Sequence, residues 1–242
     1  MKKKKIENNN VVISSNMASQ NILIIVPVYN EGTRILRVVE GIRQAGFDRI
    51  LVIDDGSSDN TQETLAQTEV KYIRHTINRG QGAAIQTGFE IALEEEVDFV
   101  IAIDGDGQFN PANIARVAIP LLKDDTDLVI GSRFKQKNTI PVLRRLYNLI
   151  ASILTYFLSG IYIGDSQSGF RGLNRKALEH IYLRSSGYEF CTEMIREAAD
   201  ANLRICEVPV DVYYTEESMK KGQSFATGVK TAGKLLIRTL TK

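Results

Sequence analysis

The chain has 242 residues, of which 43% are hydrophobic and 24% are charged, as in an ordinary globular protein with one substantial core. The net charge of +1 argues against a broad basic surface for nucleic acid. The two cysteines, Cys191 and Cys206, belong to no C-x-x-C motif or Cys/His cluster, which argues against a disulfide framework or a structural zinc site.

Residues 1–20 are predicted to be a disordered tail because they are polar and carry no periodic pattern. Four lysines after the first methionine resemble the start of a signal peptide, but Val11–Ile13 is too short to be its apolar core. We expect the lysines to be solvated, with a weak contact to an anionic membrane as the alternative.

From Ile22 to residue 130, short apolar runs alternate with helical patterns. The predicted strands are 22–26, 49–53, 70–74, 98–103 and 128–130, and the predicted helices are 32–45, 59–67, 80–95 and 111–122. This alternation predicts βαβ units, and therefore an α/β fold in which helices flank a mainly parallel sheet. No linker interrupts the pattern, so we expect a single domain over residues 21–225.

After residue 133 the alternation ends in an uncharged run from Leu146 to Gly164. Polar residues dilute this run too much for a spanning helix. We expect a helix that packs on the domain with one face and meets a lipid interface with the other, the alternative being an ordinary buried helix. Further helices are predicted at 174–183 and 188–201, a strand at 205–213, and an amphipathic helix at 226–242 that contacts a membrane or a partner.

Polar residues follow four of the predicted strands where each strand ends. They are Pro27–Gly32, Asp54–Ser57, Asn78–Gly82 and Asp104–Gln108. In an open parallel sheet, ligands bind outside the carboxyl ends of the strands. The sequence therefore predicts that these four segments converge on one crevice.

Asp104 and Asp106 are the pair with the clearest chemistry in this crevice. Two carboxylates of this spacing can share one divalent cation, and Mg²⁺ takes one or two carboxylates together with phosphate oxygens and water. A calcium-binding EF-hand starting at Asp104 is excluded, because Phe109 and Ala115 stand where glycine and glutamate are required. A phosphatase of the haloacid dehalogenase type is disfavoured, because its acidic motif follows the first strand.

The glycines at 80 and 82 do not make a dinucleotide-binding fingerprint. Ile85 occupies the place of the third glycine, and the first strand ends in Val26–Glu31 rather than in a glycine turn. A nicotinamide-dependent dehydrogenase is therefore a poor interpretation.

An ordered series of motifs between residues 22 and 225 resembles the family 2 glycosyltransferases of the GT-A fold, a Rossmann-like α/β fold. The similarity is strongest to dolichol-phosphate mannosyltransferases and bacterial polyprenyl-phosphate sugar transferases. The motifs are Val26–Glu31, Asp54–Ser57, Asn78–Ala84, Asp104–Gln108, Gly131–Phe134, Gln167–Arg171 and Gly187–Phe190.

The resemblance implies a role for each matching residue. The donor-binding residues would be Pro27, Tyr29, Glu31, Asp54, Gly80 and Asp104. The ligands of Mg²⁺ or Mn²⁺ would be Asp106, Gln108 and Asp104. Arg133 and Arg144 would hold an acceptor phosphate and, with Asp104 and Asp106, would form the catalytic group; the alternative is that both arginines are ordinary surface residues.

The implied reaction is inverting transfer of a hexose from a nucleotide-diphosphate sugar, of the GDP-mannose or UDP-glucose type, to dolichyl or undecaprenyl phosphate. The implied location is cytoplasmic, with a peripheral contact to the membrane or a membrane-anchoring partner. A lipid phosphate needs no general base, since its second pKa is about 6. A hydroxyl acceptor would need one, and the candidate bases are Asp165, Glu189 and Glu193.

Two alternatives stay open: a family 2 enzyme acting on a saccharide or other hydroxyl acceptor, and a noncatalytic nucleotide-sugar-binding subunit. One departure from the lipid-phosphate subgroup bears on the first of them. The subgroup often carries an arginine shortly before the Gly222-x-Ser224 motif, whereas this chain offers only Lys220 or Lys221 there.

Overall fold

The computed structural model describes residues 20–213. The strands are β1 (Ile22–Val28), β2 (Ile50–Asp54), β3 (Lys71–Arg74), β4 (Phe99–Ala102), β5 (Leu128–Ser132), β6 (Arg171–Asn174) and β7 (Ile205–Pro209). The helices are α1 (Arg34–Gln44), α2 (Thr61–Ala66), α3 (Gln81–Glu94), α4 (Ile114–Leu122), α5 (Val142–Ser159), α6 (Arg175–His180) and α7 (Phe190–Asp200). A single turn of 3₁₀ helix, Pro111–Asn113, leads into α4.

The seven strands form one sheet with the order β3-β2-β1-β4-β6-β5-β7. Alternate residues of β1 enter two different cores: Ile24 and Val26 pack on one side of the sheet, and Leu23 and Ile25 on the other. Helices α1, α2 and α4 contribute to the first core, and α3, α6 and α7 to the second. Burial of both faces explains the continuous apolar runs of the central strands, and confirms the predicted α/β fold in a single domain.

The short strand β6 is the main feature that the sequence analysis missed. It runs antiparallel to both of its neighbours, β4 and β5, while the other paired strands are parallel. Its residues are Arg-Gly-Leu-Asn, which contain no apolar run. Gly172 is needed there because a Cβ would come within 2.9 Å of Val117 and Leu121 on α4.

The uncharged run forms α5, which begins at Val142 and ends before Gly160, a left-handed residue with φ of 71°. The helix is not buried: Ile150 and Phe157 are 53% and 78% exposed. Its buried residues are Asn148, Ser152 and Thr155, so the polar side of the helix packs on the domain. Between residues 20 and 213, no helix is both long and apolar enough to cross a membrane.

Several expectations concern segments outside the described residues. They are the tail at 1–20, apart from its last residue, the helix at 226–242, and the loop that holds Lys220, Lys221 and the Gly222-x-Ser224 motif. The strand predicted at 205–213 ends at Pro209, although Val212 makes an isolated antiparallel bridge with Phe109.

Candidate active site

The segments that follow β1, β2 and β4 lie together at the carboxyl edge of the sheet, where the strand-end pattern predicts the crevice. Asp54 ends β2 and is fully buried, and Asp104 lies two residues beyond β4. The backbone at this edge is tightly packed: the Gly105 N–H donates to the Pro27 carbonyl at 3.3 Å, and a Cβ at Gly105 would collide with Val28.

Asp104 carries the most perturbed carboxyl group of the crevice. Burial, and then the neighbouring Asp106 carboxylate, raise the pKa of Asp104 to about 7, against the opposing effect of Arg133. Its Oδ1 accepts a hydrogen bond of 2.6 Å from Nε2 of Gln81. On another side lies Gly169, where a Cβ would collide with the carboxylate.

Asp106 is held by the residue that sequence analysis paired with it as a metal ligand. Oδ1 of Asp106 accepts from the Gln108 N–H at 2.9 Å, and Oδ2 accepts from the Gln108 side-chain amide. Burial raises the pKa of Asp106, while these hydrogen bonds and the charges of Arg144 and Arg34 act in the opposite direction. Oε1 of Gln108 in turn accepts from Arg144 at 3.3 Å, which brings this arginine to the acidic loop.

Arg133 follows β5 and is paired with a buried acid. Its Nε and Nη2 donate to the two carboxylate oxygens of Asp165 at 2.8 and 2.6 Å, and its backbone N–H donates to the same group at 2.8 Å. Asp165 is fully buried, and its own N–H donates to Glu207. These hydrogen bonds fix the orientation of Arg133. The Asp165 carboxylate is the ion-pair partner of its guanidinium.

Asp54 organises the turn after β2. Its Oδ1 accepts from the Ser57 N–H at 3.0 Å and the Ser57 hydroxyl at 2.5 Å, and its Oδ2 lies 3.2 Å from Nε of Arg74. Asp55, the next residue, points to a different loop: it accepts from the N–H groups of Arg79 and Gly80 at 2.9 and 2.7 Å.

The remaining donor-binding candidates surround this turn. Tyr29 is 44% exposed at the end of β1, while Glu31 is nearly buried and pairs with Arg34 at 2.8 Å. Gly80 has a φ of 96°, and a Cβ there would collide with the Ser186 carbonyl. Gly80 is thus explained by close packing and a left-handed backbone.

The three candidate bases, Asp165, Glu189 and Glu193, are all buried. Besides the Asp165 pairing, Glu193 accepts from the N–H groups of Arg184 and Ser185 at 3.1 and 2.8 Å, which fixes the loop before α7. Glu189 is buried beside Gly187, where a Cβ would come within 3.2 Å of its carboxyl carbon.

Sequence reasoning did not assign three residues that the structure places in or beside the crevice. Gln81 contacts Asp104, the charge of Arg34 acts on Asp106, and Tyr188 has its pKa raised by burial and by the charges of both acids. Gln81 and Tyr188 lie inside the motifs Asn78–Ala84 and Gly187–Phe190, so the family resemblance could have pointed to both. Arg34 lies shortly after the motif Val26–Glu31, and the periodic pattern indicated only that it belongs to a helix.

Arg171 is another cation of this region, but it is fully buried. Its guanidinium donates to the carbonyls of Ser168, Ser166 and Cys191 at 2.9, 2.7 and 3.0 Å. It therefore stabilises the loop that carries Gly169 and the start of α7, rather than facing a ligand.

The acidic pair suits a hard divalent cation. Over residues 20–213 no group of three or more His, Cys, Asp or Glu side chains could hold a metal by itself. Two carboxylates completed by substrate phosphate oxygens are, however, a usual Mg²⁺ arrangement. The raised pKa values of Asp104 and Asp106 show that nearby arginines do not fully offset the burial of these acids, so a bound cation would stabilise both as carboxylates.

Comparison with known proteins agrees with this geometry. The sequence profile described as glycosyl transferase family 2 matches residues 23–182. The UDP-N-acetylglucosamine–dolichyl-phosphate N-acetylglucosaminyltransferase of Methanococcus voltae is 35% identical over 93% of this chain and 99% of its own length. The polyprenol monophosphomannose synthase of Mycolicibacterium smegmatis is 30% identical over 88% of this chain and 84% of its own.

A solved structure supports the fold. Glucosyl-3-phosphoglycerate synthase of Mycobacterium tuberculosis, crystallised with Mn²⁺ and UDP-glucose, superposes with a TM-score of 0.71 at 18% identity. The alignment covers 96% of this chain and 82% of that one.

Proposed function

Because the chain belongs to glycosyltransferase family 2, we propose that it transfers a hexose from a nucleotide-diphosphate sugar to a polyprenyl phosphate, with inversion at the anomeric carbon. The names of two relatives support this acceptor. The Methanococcus voltae enzyme is named for dolichyl phosphate, and the Mycolicibacterium smegmatis enzyme for polyprenol monophosphomannose. The observation that carries the proposal is the position of Arg144. It is bonded to the acidic loop through Gln108 and belongs to α5, whose apolar side is exposed.

The donor binds on the β1–β4 side of the crevice. Pro27, Tyr29, Glu31, Asp54, Gly80 and Asp104 form this binding region. Asp106, with Asp104 and Gln108, holds Mg²⁺ or Mn²⁺, and the solved neighbour with Mn²⁺ and UDP-glucose supports a divalent ion of this kind. A cation held by these residues would supply the positive charge that offsets the negative charge developing on the departing nucleoside diphosphate.

The acceptor phosphate binds on the β5–α5 side. Arg133 and Arg144 orient it, because a guanidinium can form two parallel hydrogen bonds to phosphate oxygens. A phosphate monoester is largely dianionic at neutral pH, so the acceptor attacks without a general base. This agrees with Asp165 and Glu193, which are engaged with Arg133 and with backbone N–H groups.

The exposed apolar side of α5 is the surface through which the enzyme reaches its lipid. It would lie in the membrane interface with the prenyl chain alongside, while Arg144 at the first turn keeps the phosphate near the acidic loop. The proposal includes a peripheral contact with the cytoplasmic leaflet, direct or through a membrane-anchoring partner, and the exposed apolar side of α5 supports the membrane contact.

The test is a transfer assay with labelled UDP- and GDP-sugars, Mg²⁺ or Mn²⁺, and a prenyl phosphate. Label in the organic phase, lost on chelation of the metal, is the expected result. Metal-dependent hydrolysis of the donor without a lipid product would instead favour a hydroxyl acceptor. Nucleotide binding without any turnover would point to a noncatalytic subunit.

A further inference from the structure

The carboxylate of Asp104 is confined by residues outside its own strand. Nε2 of Gln81, the first residue of α3, donates to Oδ1 at 2.6 Å. Gly169 leaves no space for a side chain beside the same group. The hydrogen bond from Gln81 and the backbone at Gly169 therefore restrict how this carboxylate can turn.

Gln81 is itself held in place by the loop that precedes it. The Asp55 carboxylate accepts from the N–H groups of Arg79 and Gly80, and Nδ1 of His75 lies 2.7 Å from its Oδ1. Nε2 of His75 lies 3.0 Å from the hydroxyl of Thr87, which lies further along α3 than Gln81. Asp55 and His75, both buried, thus connect the loop to β2, β3 and the body of α3.

The other side of this loop is equally constrained. The Gly82 N–H donates to the Ser186 carbonyl at 2.9 Å, and side chains at Gly80 or Gly82 would collide with the carbonyls of Ser186 or Ser185. The start of α3 is therefore fixed between the Asp55 carboxylate and the loop before α7, which holds the backbone of Gln81 where its side chain reaches Asp104.

We propose that Gln81 is a positioning residue that orients the Asp104 carboxylate for the cation-bound donor diphosphate, and that Asp55 and His75 set the position of Gln81. The inference rests on the proposed function only in placing the cation and donor at Asp104 and Asp106. Gln81 acts through its neutral N–H donor, so another neutral side chain that can donate to a carboxylate should replace it in part.

The test uses two substitutions at one position. Gln81→Met keeps the length and removes the donor, whereas Gln81→Asn keeps a neutral donor on a shorter side chain. Gln62→Met, at an exposed position on α2, is the matched control. Binding of Mn²⁺ is measured by calorimetry in the presence of UDP and of GDP, with melting temperatures recorded for every variant.

Loss of a hydrogen bond to a charged group should weaken Mn²⁺–nucleotide binding roughly tenfold in Gln81→Met. Gln81→Asn should lose less than Gln81→Met, and the control should stay close to the wild type. Wild-type binding in Gln81→Met would overturn the proposal, as would equal losses in the Met and Asn variants with unchanged melting.

This readout separates the inference from the proposed acceptor. If no variant, including the wild type, makes a lipid product, the acceptor assignment fails while the binding series still decides the role of Gln81. If the wild type binds Mn²⁺ with neither nucleotide, the inference fails too, because its cation site is then absent.

Discussion

Helices α1 and α5 both carry an apolar side and a polar side, but they face opposite ways. Helix α1 buries Ile35, Val38, Val39 and Ile42 against the sheet. Helix α5 buries Asn148, Ser152 and Thr155, and exposes its large apolar residues. Those at least 44% exposed are Val142, Leu143, Leu146, Leu149, Ile150, Ile153, Tyr156 and Phe157.

Hydrogen bonds attach α5 to the domain. Nδ2 of Asn148 donates to the Gly164 carbonyl at 2.6 Å, the Ser152 and Ser166 hydroxyls are 3.2 Å apart, and the Thr155 hydroxyl lies 2.9 Å from that of Thr192. An exposed apolar surface about 27 Å long, the length of an 18-residue helix, is unusual on a soluble domain and typical of a binding surface.

The difference between the two helices indicates that the two halves of the molecule suit different surroundings. The proposed donor half follows the usual rule, with apolar sides inward and the proposed ligand-binding acids at strand ends. The acceptor half satisfies its polar groups inside the protein and leaves apolar side chains outside. Its arginines lie where these two arrangements meet, which suits an acceptor with a phosphate head and a hydrocarbon chain.

The same substitution, isoleucine to serine, should have very different effects on stability in the two helices. Ile42→Ser on α1 removes a fully buried side chain, which should cost about 2–5 kcal/mol of folding free energy or more. Ile153→Ser on α5 replaces a half-exposed residue, and should change stability by less than about 1 kcal/mol while weakening attachment to phospholipid vesicles.

Thermal melting and vesicle flotation, run on both variants, check this pair. Equal destabilisation by the two changes would mean that α5 is covered in the folded protein. If the wild type floats with the vesicles and Ile153→Ser floats equally well, the exposed side of α5 is not the surface that binds lipid.

In the donor half, Asp106→Asn should reduce transfer on the order of a hundredfold or more, whatever acceptor is supplied, because it removes a charge from the proposed cation site. The fold should persist, since an asparagine can keep the hydrogen bond from the Gln108 N–H. Turnover and melting are measured together, with Asp98→Asn, exposed at the opposite end of β4, as the control. Near-normal turnover at saturating metal would refute the assignment.

In the acceptor half, Arg144→Ala should lower kcat/KM for a prenyl phosphate roughly ten- to hundredfold and should affect nucleotide binding far less. Arg133→Ala should do the same and also destabilise the fold, because it leaves the buried Asp165 carboxylate without its guanidinium. Kinetics with varied acceptor at saturating donor, with Arg145→Ala as the neighbouring exposed control, give the measurement. Wild-type acceptor efficiency in both variants would argue for a different acceptor.

The donor side of the crevice was predictable from the sequence because parallel strands share one carboxyl edge. Polar segments after β1, β2 and β4 therefore had to meet, and they do: the Gly105 N–H donates to the Pro27 carbonyl and the Asp55 N–H to the Val28 carbonyl. Helix α5 was predictable as a helix, and its mixed pattern indicated two different surroundings. Periodicity alone could not tell which side packs, since that depends on whether partners such as Gly164 can satisfy polar groups.

Contacts between distant segments were not predictable. The pairing of Arg133 with Asp165 joins residues 32 apart in sequence, and that of Gln81 with Asp104 joins residues 23 apart. No local pattern encodes either pair. Strand β6 was missed for a related reason: its place between β4 and β5 is set by backbone pairing, and its sequence has no strand-like run.

The smallest expected effect concerns a site away from both halves. Asp127, just before β5, accepts from the Arg204 N–H at 2.8 Å and from the Arg204 guanidinium at 2.9 and 3.1 Å, which connects the starts of β5 and β7. These contacts hold the pKa of Asp127 well below its usual range. The site lies at the opposite end of these strands from Arg133, so it tests whether a general loss of stability can imitate an acceptor defect.

A lowered pKa in the folded state means that this carboxylate stabilises the fold fully above its unfolded pKa, about 3.9, and loses that contribution as the pH falls below it. Asp127→Asn should therefore lower the melting temperature by a few degrees at pH 7, with the difference from the wild type shrinking between about pH 4 and pH 2. Asp124→Asn, which changes the exposed carboxylate on the same arginine, should have little effect. Acceptor kinetics should be unchanged in both variants, because neither alters the crevice. A melting difference that is constant across this pH range would show that Asp127 acts through its shape and hydrogen bonds rather than its charge.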